Sequence, residues 1–98
     1  MPTRLVHEAN GSDELVFEVA EGEWIVGRAV NCDIHVHDSL VSRRHCALIA
    51  RQGALFIIDF SSKNGTFVNG VRIGIGEVQL QYNDVVTIGW TTLRVGLD

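Results

Sequence analysis

Short apolar runs that alternate with polar residues are the feature of this sequence that most limits its fold. In residues 15–19 an apolar side chain occurs at every second position, and the same period recurs at 34–37, 77–80 and 92–95. That period places successive apolar side chains on one face of a β-strand. β-branched and aromatic residues, which favour strands, make up about a third of the chain. No long window shows the period of an amphipathic helix, so we predict an all-β protein.

Turn-forming residues separate these runs. Ten glycines, together with pairs such as Asn83-Asp84, fall between the apolar segments. Asn69-Gly70 lies between two runs and predicts a hairpin, because both residues accept the positive φ angles of a type I′ turn. The uninterrupted runs 46–50 and 54–58 predict central strands covered on both faces. About ten short strands with frequent turns predict a two-sheet β-sandwich whose functional residues lie in loops at one end.

Composition narrows the function and location of the protein. Eight Lys and Arg against 12 Asp and Glu give a net charge of −4, which argues against a general nucleic-acid binder. No apolar run is long enough to span a membrane, and the first residues lack a signal-peptide core. We therefore expect a cytoplasmic protein without a nucleic-acid or membrane partner. Cys32 and Cys46 are too few for a disulfide framework, and we expect two free thiols packing as small hydrophobic groups.

Half of the basic residues lie in three segments that we predict to be loops. These segments are 27–28, 42–45 and 61–66, and their cations are Arg28, Arg43, Arg44 and Lys63. Each segment also carries a hydroxyl, an amide or a glycine with a potentially exposed N–H. Guanidinium, hydroxyl and N–H donors together match the oxygens of a phosphate group. Each residue alone is more typical of a surface turn, but together they indicate a phosphate-binding site.

The order and spacing of these motifs resemble the forkhead-associated (FHA) family of phosphothreonine-binding domains. The family pattern of Gly-Arg, Ser-x-x-His, Ser-x-Asn-Gly-Thr and Asn-Gly is matched by Gly27-Arg28, Ser42-Arg43-Arg44-His45, Ser62-Lys63-Asn64-Gly65-Thr66 and Asn69-Gly70. The likeness extends from Leu5 to Val95, with Ser61 where many members have Gly or Asn. It implies that residues 1–98 form one domain, a sandwich of about eleven short, mainly antiparallel strands with binding loops at one end.

The resemblance also implies a role for each matched residue in binding a threonine-phosphorylated protein or peptide. Arg28 would grip the phosphate, and Ser42 would donate its hydroxyl to a phosphate oxygen. Arg43 and Lys63 would add charge or backbone donors, while Asn64 would bind the main chain of the ligand. The remaining residues would support the site, with His45 buried behind the Ser42 loop: Gly27, His45, Gly65, Thr66, Asn69 and Gly70. Such a module would act in signalling or regulated assembly, with no catalytic residue, cofactor or metal.

An enzyme is a weaker alternative. Ser42, His45 and Asp59 could in principle serve as nucleophile, base and orienting carboxylate. The sequence lacks the G-x-S-x-G motif that presents such a serine, and nothing marks an oxyanion hole.

Two further alternatives remain open on the sequence. Cys32, His35 and His37, with or without Cys46, could ligate a metal, but their spacing matches no standard zinc pattern. The stronger alternative is an interaction domain that binds its partner, or a second copy of itself, through a sheet face without phosphate. The partner, its kinase, the preference three residues after the phosphothreonine and the oligomeric state are not determined by these motifs.

Overall fold

The computed structural model describes residues 3–8 and 14–97, with side chains described for 17–96. The described residues form strands without a helix, so the prediction of an all-β fold is confirmed. The strands are β1 Thr3–Glu8, β2 Glu14–Val19, β3 Gly22–Gly27, β4 Ile34–His35, β5 Cys46–Arg51, β6 Ala54–Asp59, β7 Thr66–Val68, β8 Val71–Arg72, β9 Val78–Leu80, β10 Val85–Ile88 and β11 Thr91–Leu97. Among these residues there is no helix that could cross a membrane.

The strands make two sheets, as the alternating pattern predicts. One sheet has the order β2-β1-β11-β10-β7-β8, and the other has the order β4-β3-β5-β6-β9. Described neighbours pair antiparallel, except that the two-residue strand β4 runs parallel to β3. Consecutive strands pair antiparallel at β1–β2, β5–β6, β7–β8 and β10–β11, where a short turn suffices because antiparallel neighbours need no long crossover.

The core fills the space between the sheets and follows the period of two. Ile34 and Val36 are buried, while His35 is half-buried and His37 is exposed. Each such strand therefore gives the core one face and leaves the other toward solvent. Of the buried apolar side chains in residues 17–96, all but Ala47 form one cluster: Val19, Val26, Ile34, Val36, Val41, Cys46, Leu48, Ala50, Leu55, Ile57, Leu80, Val86, Ile88, Leu93 and Val95.

The prediction of strands covered on both faces holds for β5 but is wrong for β6. Most of β5 is buried on both sides, whereas burial in β6 alternates along the strand. The outward Phe56 is half-buried beneath the Arg51 guanidinium, whose carbon lies 4.2 Å from the ring centroid. A cationic side chain, rather than a second layer of the fold, covers this apolar position.

The predicted Asn-Gly hairpin is confirmed. β7 and β8 pair with Val68 opposite Val71, and Asn69 and Gly70 have φ angles of 51° and 82°. The side chain of Asn69 also accepts a hydrogen bond from the Val85 N–H at 2.9 Å. The turn is therefore attached to β10 as well as closing its own hairpin.

Both cysteines are free thiols, but only one packs as predicted. Cys46 is buried in the core, and this burial, with the charge of Asp59 as a lesser cause, raises its pKa to about 12. Cys32 is half-buried, and its thiol donates to the Arg43 carbonyl oxygen at 3.1 Å. The prediction of hydrophobic packing is wrong for Cys32, because the residue lies in a loop next to an accepting carbonyl.

The strand pairing brings three loops to one end of the sandwich. β3 ends at Gly27 and β6 ends at Asp59, while β5 begins between them at Cys46. β7 begins at Thr66, whose hydroxyl donates to the Asp59 carboxylate across the two sheets at 2.6 Å. The loops 28–33, 36–45 and 60–65 therefore meet at this end, which we call the apical end.

Candidate functional site

The first apical loop is packed against the second at a glycine. A Cβ on Gly27 would overlap the main-chain carbonyl of Arg43, so only glycine permits this close approach. The two loops are then joined by the Arg28 N–H, which donates to the Ser42 carbonyl at 3.0 Å, and the Ala29 N–H, which donates to the Arg43 carbonyl at 3.1 Å. Gly27 therefore sets the spacing between Arg28 and the 42–45 segment.

Arg28 is exposed but oriented. Its Nε donates to the Val41 carbonyl oxygen at 3.0 Å, which holds one edge of the planar guanidinium against the second loop. Within residues 17–96 no hydrogen bond or ion pair occupies its two Nη groups. A guanidinium fixed in this way presents a fork of N–H donors suited to a tetrahedral oxyanion.

His45 joins the second loop to the third from a fully buried position. Its Nδ1 accepts a hydrogen bond from the Ser42 N–H at 3.0 Å, so Nε2 carries the hydrogen and donates to the Gly65 carbonyl at 2.9 Å. Both ring nitrogens are therefore used by main-chain atoms. The imidazole determines how far the Ser42 loop stands from the loop that carries Asn64.

Ser42 and Lys63 meet across the same boundary. The half-buried Ser42 Oγ accepts a hydrogen bond from the Lys63 N–H at 3.1 Å. Because a hydroxyl both donates and accepts, this bond leaves the Ser42 hydrogen to donate to a ligand oxygen. The Lys63 side chain itself is exposed.

The third loop is held by a carboxylate at the end of β6. Asp59 accepts hydrogen bonds from the Ser62 N–H at 3.0 Å, the Ser62 hydroxyl at 2.6 Å and the Thr66 hydroxyl at 2.6 Å. Ser62 Oγ in turn accepts from the Gly65 N–H at 3.0 Å. Burial of Asp59 acts to raise its pKa, but these hydrogen bonds outweigh burial and leave the pKa below its ordinary value.

The other predicted ligand-binding residues lie around this centre with exposed side chains. Asn64 donates from Nδ2 to the Leu40 carbonyl at 2.8 Å, which attaches the third loop to the second. Arg43 presents its side chain to solvent while its carbonyl lies over Gly27. The structure thus brings Arg28, Ser42, Arg43, Lys63 and Asn64 to one end of the sandwich, with Gly27, His45, Gly65 and Thr66 buried beneath them.

Asn69 and Gly70 lie away from this group. They form the turn after β7, whereas the third loop precedes β7. The described hydrogen bonds of Asn69 run to Asp84 and Val85, not to residues 60–65. Any support they give to the site acts through β7 and β10.

The described residues assemble neither the catalytic group nor the metal site that the sequence offered as alternatives. No hydrogen bond joins Ser42 Oγ to His45, because both nitrogens of the ring are engaged by main-chain atoms. Across residues 17–96 no group of three or more His, Cys, Asp or Glu side chains is placed to hold a metal ion. The His35 and His37 rings lie 4.3 Å apart, whereas the Cys32 thiol is directed to the Arg43 carbonyl.

Sequence reasoning missed several residues that shape the site. The carbonyls of Leu40 and Val41 hold Asn64 and Arg28, but main-chain acceptors leave no trace in side-chain identity. The role of Asp59 had a weak signal, since Asp side chains often accept hydrogen bonds from nearby main-chain N–H groups in turns.

A second missed carboxylate, Asp38, stabilises the second loop. It accepts hydrogen bonds from the Leu40 and Trp90 N–H groups and from the Thr91 hydroxyl, at 2.8 to 2.9 Å. Burial acts to raise its pKa, but these bonds prevail and lower it. They attach the second loop to the turn between β10 and β11.

Comparison with known proteins identifies related sequences. The family model described as FHA domain matches residues 24–89. Proliferation marker protein Ki-67 of Mus musculus is 35% identical over 79 residues, covering 81% of this chain and 2% of that protein. The ABC transporter ATP-binding/permease protein Rv1747 of Mycobacterium tuberculosis is 43% identical over 75 residues, covering 76% of this chain and 8% of that protein. The chain thus spans a small part of these relatives.

Solved structures share the whole fold. The FHA domain of CT664 protein from Chlamydia trachomatis is 29% identical with a TM-score of 0.92, covering 100% of this chain and 99% of that one. A chain from a study of phosphothreonine-dependent FHA domain interactions is 26% identical with a TM-score of 0.88, covering 100% of this chain and 98% of that one. The FhaA FHA domain, solved in complex with the intracellular domain of Rv3910, is 28% identical with a TM-score of 0.84, covering 95% of this chain and 98% of that one.

Proposed function

The chain belongs to the FHA domain family, and we propose that it is a binding module for threonine-phosphorylated segments of partner proteins. The apical loops hold the phosphate, and no bond in the ligand is made or broken. We further propose that the module acts in signalling or regulated assembly and that it works in the cytoplasm.

One observation carries the proposal: Arg28 and Ser42 are fixed at the apical end with donor hydrogens still available. Nε of Arg28 is bound to the second loop and Ser42 Oγ accepts from Lys63, so neither needs to reorganise to receive an anion. A phosphothreonine brings a charge of roughly −1.5 to −2 and three strong acceptor oxygens. The guanidinium fork and the hydroxyl supply matching charge-assisted hydrogen bonds.

The similar structures support this ligand class. The full-length likeness to a domain studied for phosphothreonine-dependent interactions makes phosphothreonine the first ligand to test. The likeness to FhaA, bound to the intracellular domain of another protein, supports a protein partner rather than a free small molecule. Because loops contact only a short segment, we expect affinity of micromolar order, roughly −8 kcal/mol.

A phosphopeptide-library binding screen tests the proposal. Each sequence is presented with phosphothreonine, phosphoserine and unmodified threonine at the central position. We expect retention of phosphothreonine peptides, weaker retention of phosphoserine peptides and none of the unmodified set. Equal retention of the phosphorylated and unmodified sets would contradict the proposal and favour phosphate-independent binding through a sheet face.

A further inference from the structure

Two apical arginines remain outside the group that we assign to the phosphate. Arg44 and Arg72 are both exposed, and no carboxylate within residues 17–96 lies within salt-bridge distance of either. Arg51, by contrast, forms a bidentate pair with Glu77, with nitrogen–oxygen distances of 2.8 and 3.2 Å. Arg44 and Arg72 lack such a partner although the chain has more carboxylates than cations, with a net charge of −4.

Both arginines are placed against the third loop, residues 60–65. The Arg44 guanidinium carbon lies 5.9 Å from the centroid of the Phe60 ring, at the start of the loop. At the other end, a Cβ on Gly65 would lie 2.7 Å from Arg72 Nε, so the Arg72 side chain covers the glycine that follows Asn64. The loop that carries Lys63 and Asn64 therefore has at each end a cation that no carboxylate of residues 17–96 pairs with.

Arg72 also lines a cavity beside this loop. The cavity has a volume of about 420 Å³, and its wall includes Ser61, Ser62 and Ile73 as well as Arg72. It lies between the third loop and the segment that leads from β8 to β9. The Ser62 hydroxyl already donates to Asp59, so the donors that this wall offers to a ligand are the Arg72 guanidinium and the hydroxyl of the exposed Ser61. A concave surface with these donors can receive an anionic side chain.

The acidic residues at the apical end do not neutralise these cations. Asp59 also lines the cavity, but its carboxylate accepts three hydrogen bonds from Ser62 and Thr66. Asp38 accepts its hydrogen bonds from two N–H groups and a hydroxyl. Asp33, in the first apical loop, accepts a hydrogen bond from the Ile25 N–H at 2.7 Å. All three carboxylates are bound by neutral donors, and within residues 17–96 none of them forms an ion pair with Arg44 or Arg72.

We propose that Arg44 and Arg72 bind a second anionic group, a carboxylate or a phosphate, on residues that flank the phosphothreonine of the partner. This inference rests on the proposed function and adds to it the chemistry of the surrounding segment. Arg28, Ser42 and Lys63 already match one phosphate, so further cations beside them select a segment with further negative charge. The partner is thus an acidic or multiply phosphorylated segment.

Titration of four peptides by calorimetry tests the proposal. The peptides are identical except at the flanking positions and the central threonine. Three carry a central phosphothreonine, and their flanks contain glutamate, glutamine or a second phosphothreonine. The fourth has glutamate flanks and an unmodified central threonine. We expect glutamate flanks to improve affinity about two- to five-fold per contact over glutamine flanks, the range for solvent-exposed ion pairs. A doubly phosphorylated peptide that binds more tightly than the glutamate peptide would identify phosphate as the preferred source of charge. The reverse order would identify carboxylate.

Matched variants assign the effect to the two arginines. Arg44→Gln and Arg72→Gln should reduce the preference for acidic flanks and leave the dependence on the central phosphate unchanged, and Arg72→Lys should retain the preference. Arg51→Gln removes the same charge from the far end of β5 and should keep the preference intact. Wild-type protein that binds glutamate and glutamine flanks equally would overturn the proposal. The proposal would also be overturned if Arg51→Gln lost the preference for glutamate flanks as much as the Arg44 and Arg72 variants do. It would be overturned as well if Arg72→Gln lowered the affinity for peptides with glutamate and glutamine flanks by the same factor. Binding that ignores the central phosphate would instead overturn the proposed function.

Discussion

At the scale of single residues, the site depends on a guanidinium that is oriented before any ligand arrives. Arg28 is exposed, yet its Nε bond to the Val41 carbonyl restricts the rotation of the side chain. A pre-oriented side chain loses less conformational entropy on binding than a free one. This distinguishes Arg28 from the surface arginine that its position after a glycine would otherwise suggest.

Arg28→Ala should therefore weaken binding of a phosphothreonine peptide by about 2–4 kcal/mol, because it removes a charge-assisted contact and leaves the phosphate poorly paired. Calorimetric titration of the variant and the wild type measures the difference. Arg51→Ala, which removes an arginine at the opposite end of the fold, is the control and should bind like wild type. Equal affinities of Arg28→Ala and wild type would refute the assignment.

His45→Ala should destabilise the whole domain as well as the site. The change leaves a cavity in a fully buried position and strands the Ser42 N–H and the Gly65 carbonyl without partners. We expect a loss of about 2–4 kcal/mol in the free energy of unfolding. Urea denaturation of both proteins measures it, and an unchanged midpoint and slope would contradict the supporting role of His45.

The residue types in the sequence were enough to indicate which side chains gather at the apical end, but not how they are held there. Arg28, Ser42 and Asn64 carry side chains whose chemistry can be recognised in the sequence. The acceptors that hold Arg28 and Asn64 are main-chain carbonyls, which every residue possesses. Arg72 has no such signal either, because its place over Gly65 depends on the pairing of β7 with β8.

At the scale of elements, the end of β3 determines how the first two loops meet. Gly27→Ala would force the Arg43 carbonyl away and should separate Arg28 from Ser42. We expect a loss of about 1–3 kcal/mol in stability, as for other overpacked positions, together with weaker phosphopeptide binding. Gly74→Ala is a matched control, because a Cβ at Gly74 meets no atom within 4 Å. Similar melting temperatures for the two variants would show that the close approach is unimportant.

The third loop should show a characteristic dependence on pH. The pKa of Asp59 is lowered in the folded state by its bonds to Ser62 and Thr66, so its contribution to stability is complete above the unfolded value near 4 and is lost as pH falls through the folded value. Asp59→Asn should be less stable than wild type at pH 7, by about 1–3 kcal/mol. The difference should shrink below about pH 4. Unfolding free energies from pH 2 to 7 measure both trends, and a constant difference would contradict them.

The conformation and exposure of a segment were predictable from the sequence where its own residues determine them. The hairpin at Asn69-Gly70 follows from the φ angles these residues accept. The partial exposure of His35 between the buried Ile34 and Val36 follows from the period of two. The outer face of β6 was not predictable, because its cover is the long side chain of Arg51 from the adjacent strand. The partial exposure of Cys32 likewise depends on a contact between two loops.

At the scale of the whole molecule, the sandwich brings residues that are far apart in sequence together on one surface. Arg28, Ser42 and Lys63 belong to three different loops, joined through the buried His45 and the Ser42 hydroxyl. The net charge of −4 does not prevent anion binding there, because exposed charges more than about 8–10 Å away are largely screened at physiological salt. In the proposed function, the local group of cations therefore matters more for ligand choice than the total charge.

Mapping the backbone amide chemical shifts of the labelled protein during titration with one peptide, in phosphorylated and unphosphorylated forms, tests the central claim most directly. We predict phosphate-dependent shifts concentrated at residues 28, 42–43 and 63–64, with small changes on the outer faces of both sheets. Shifts that are the same for both forms of the peptide, or that follow a sheet face instead of the apical loops, would contradict it.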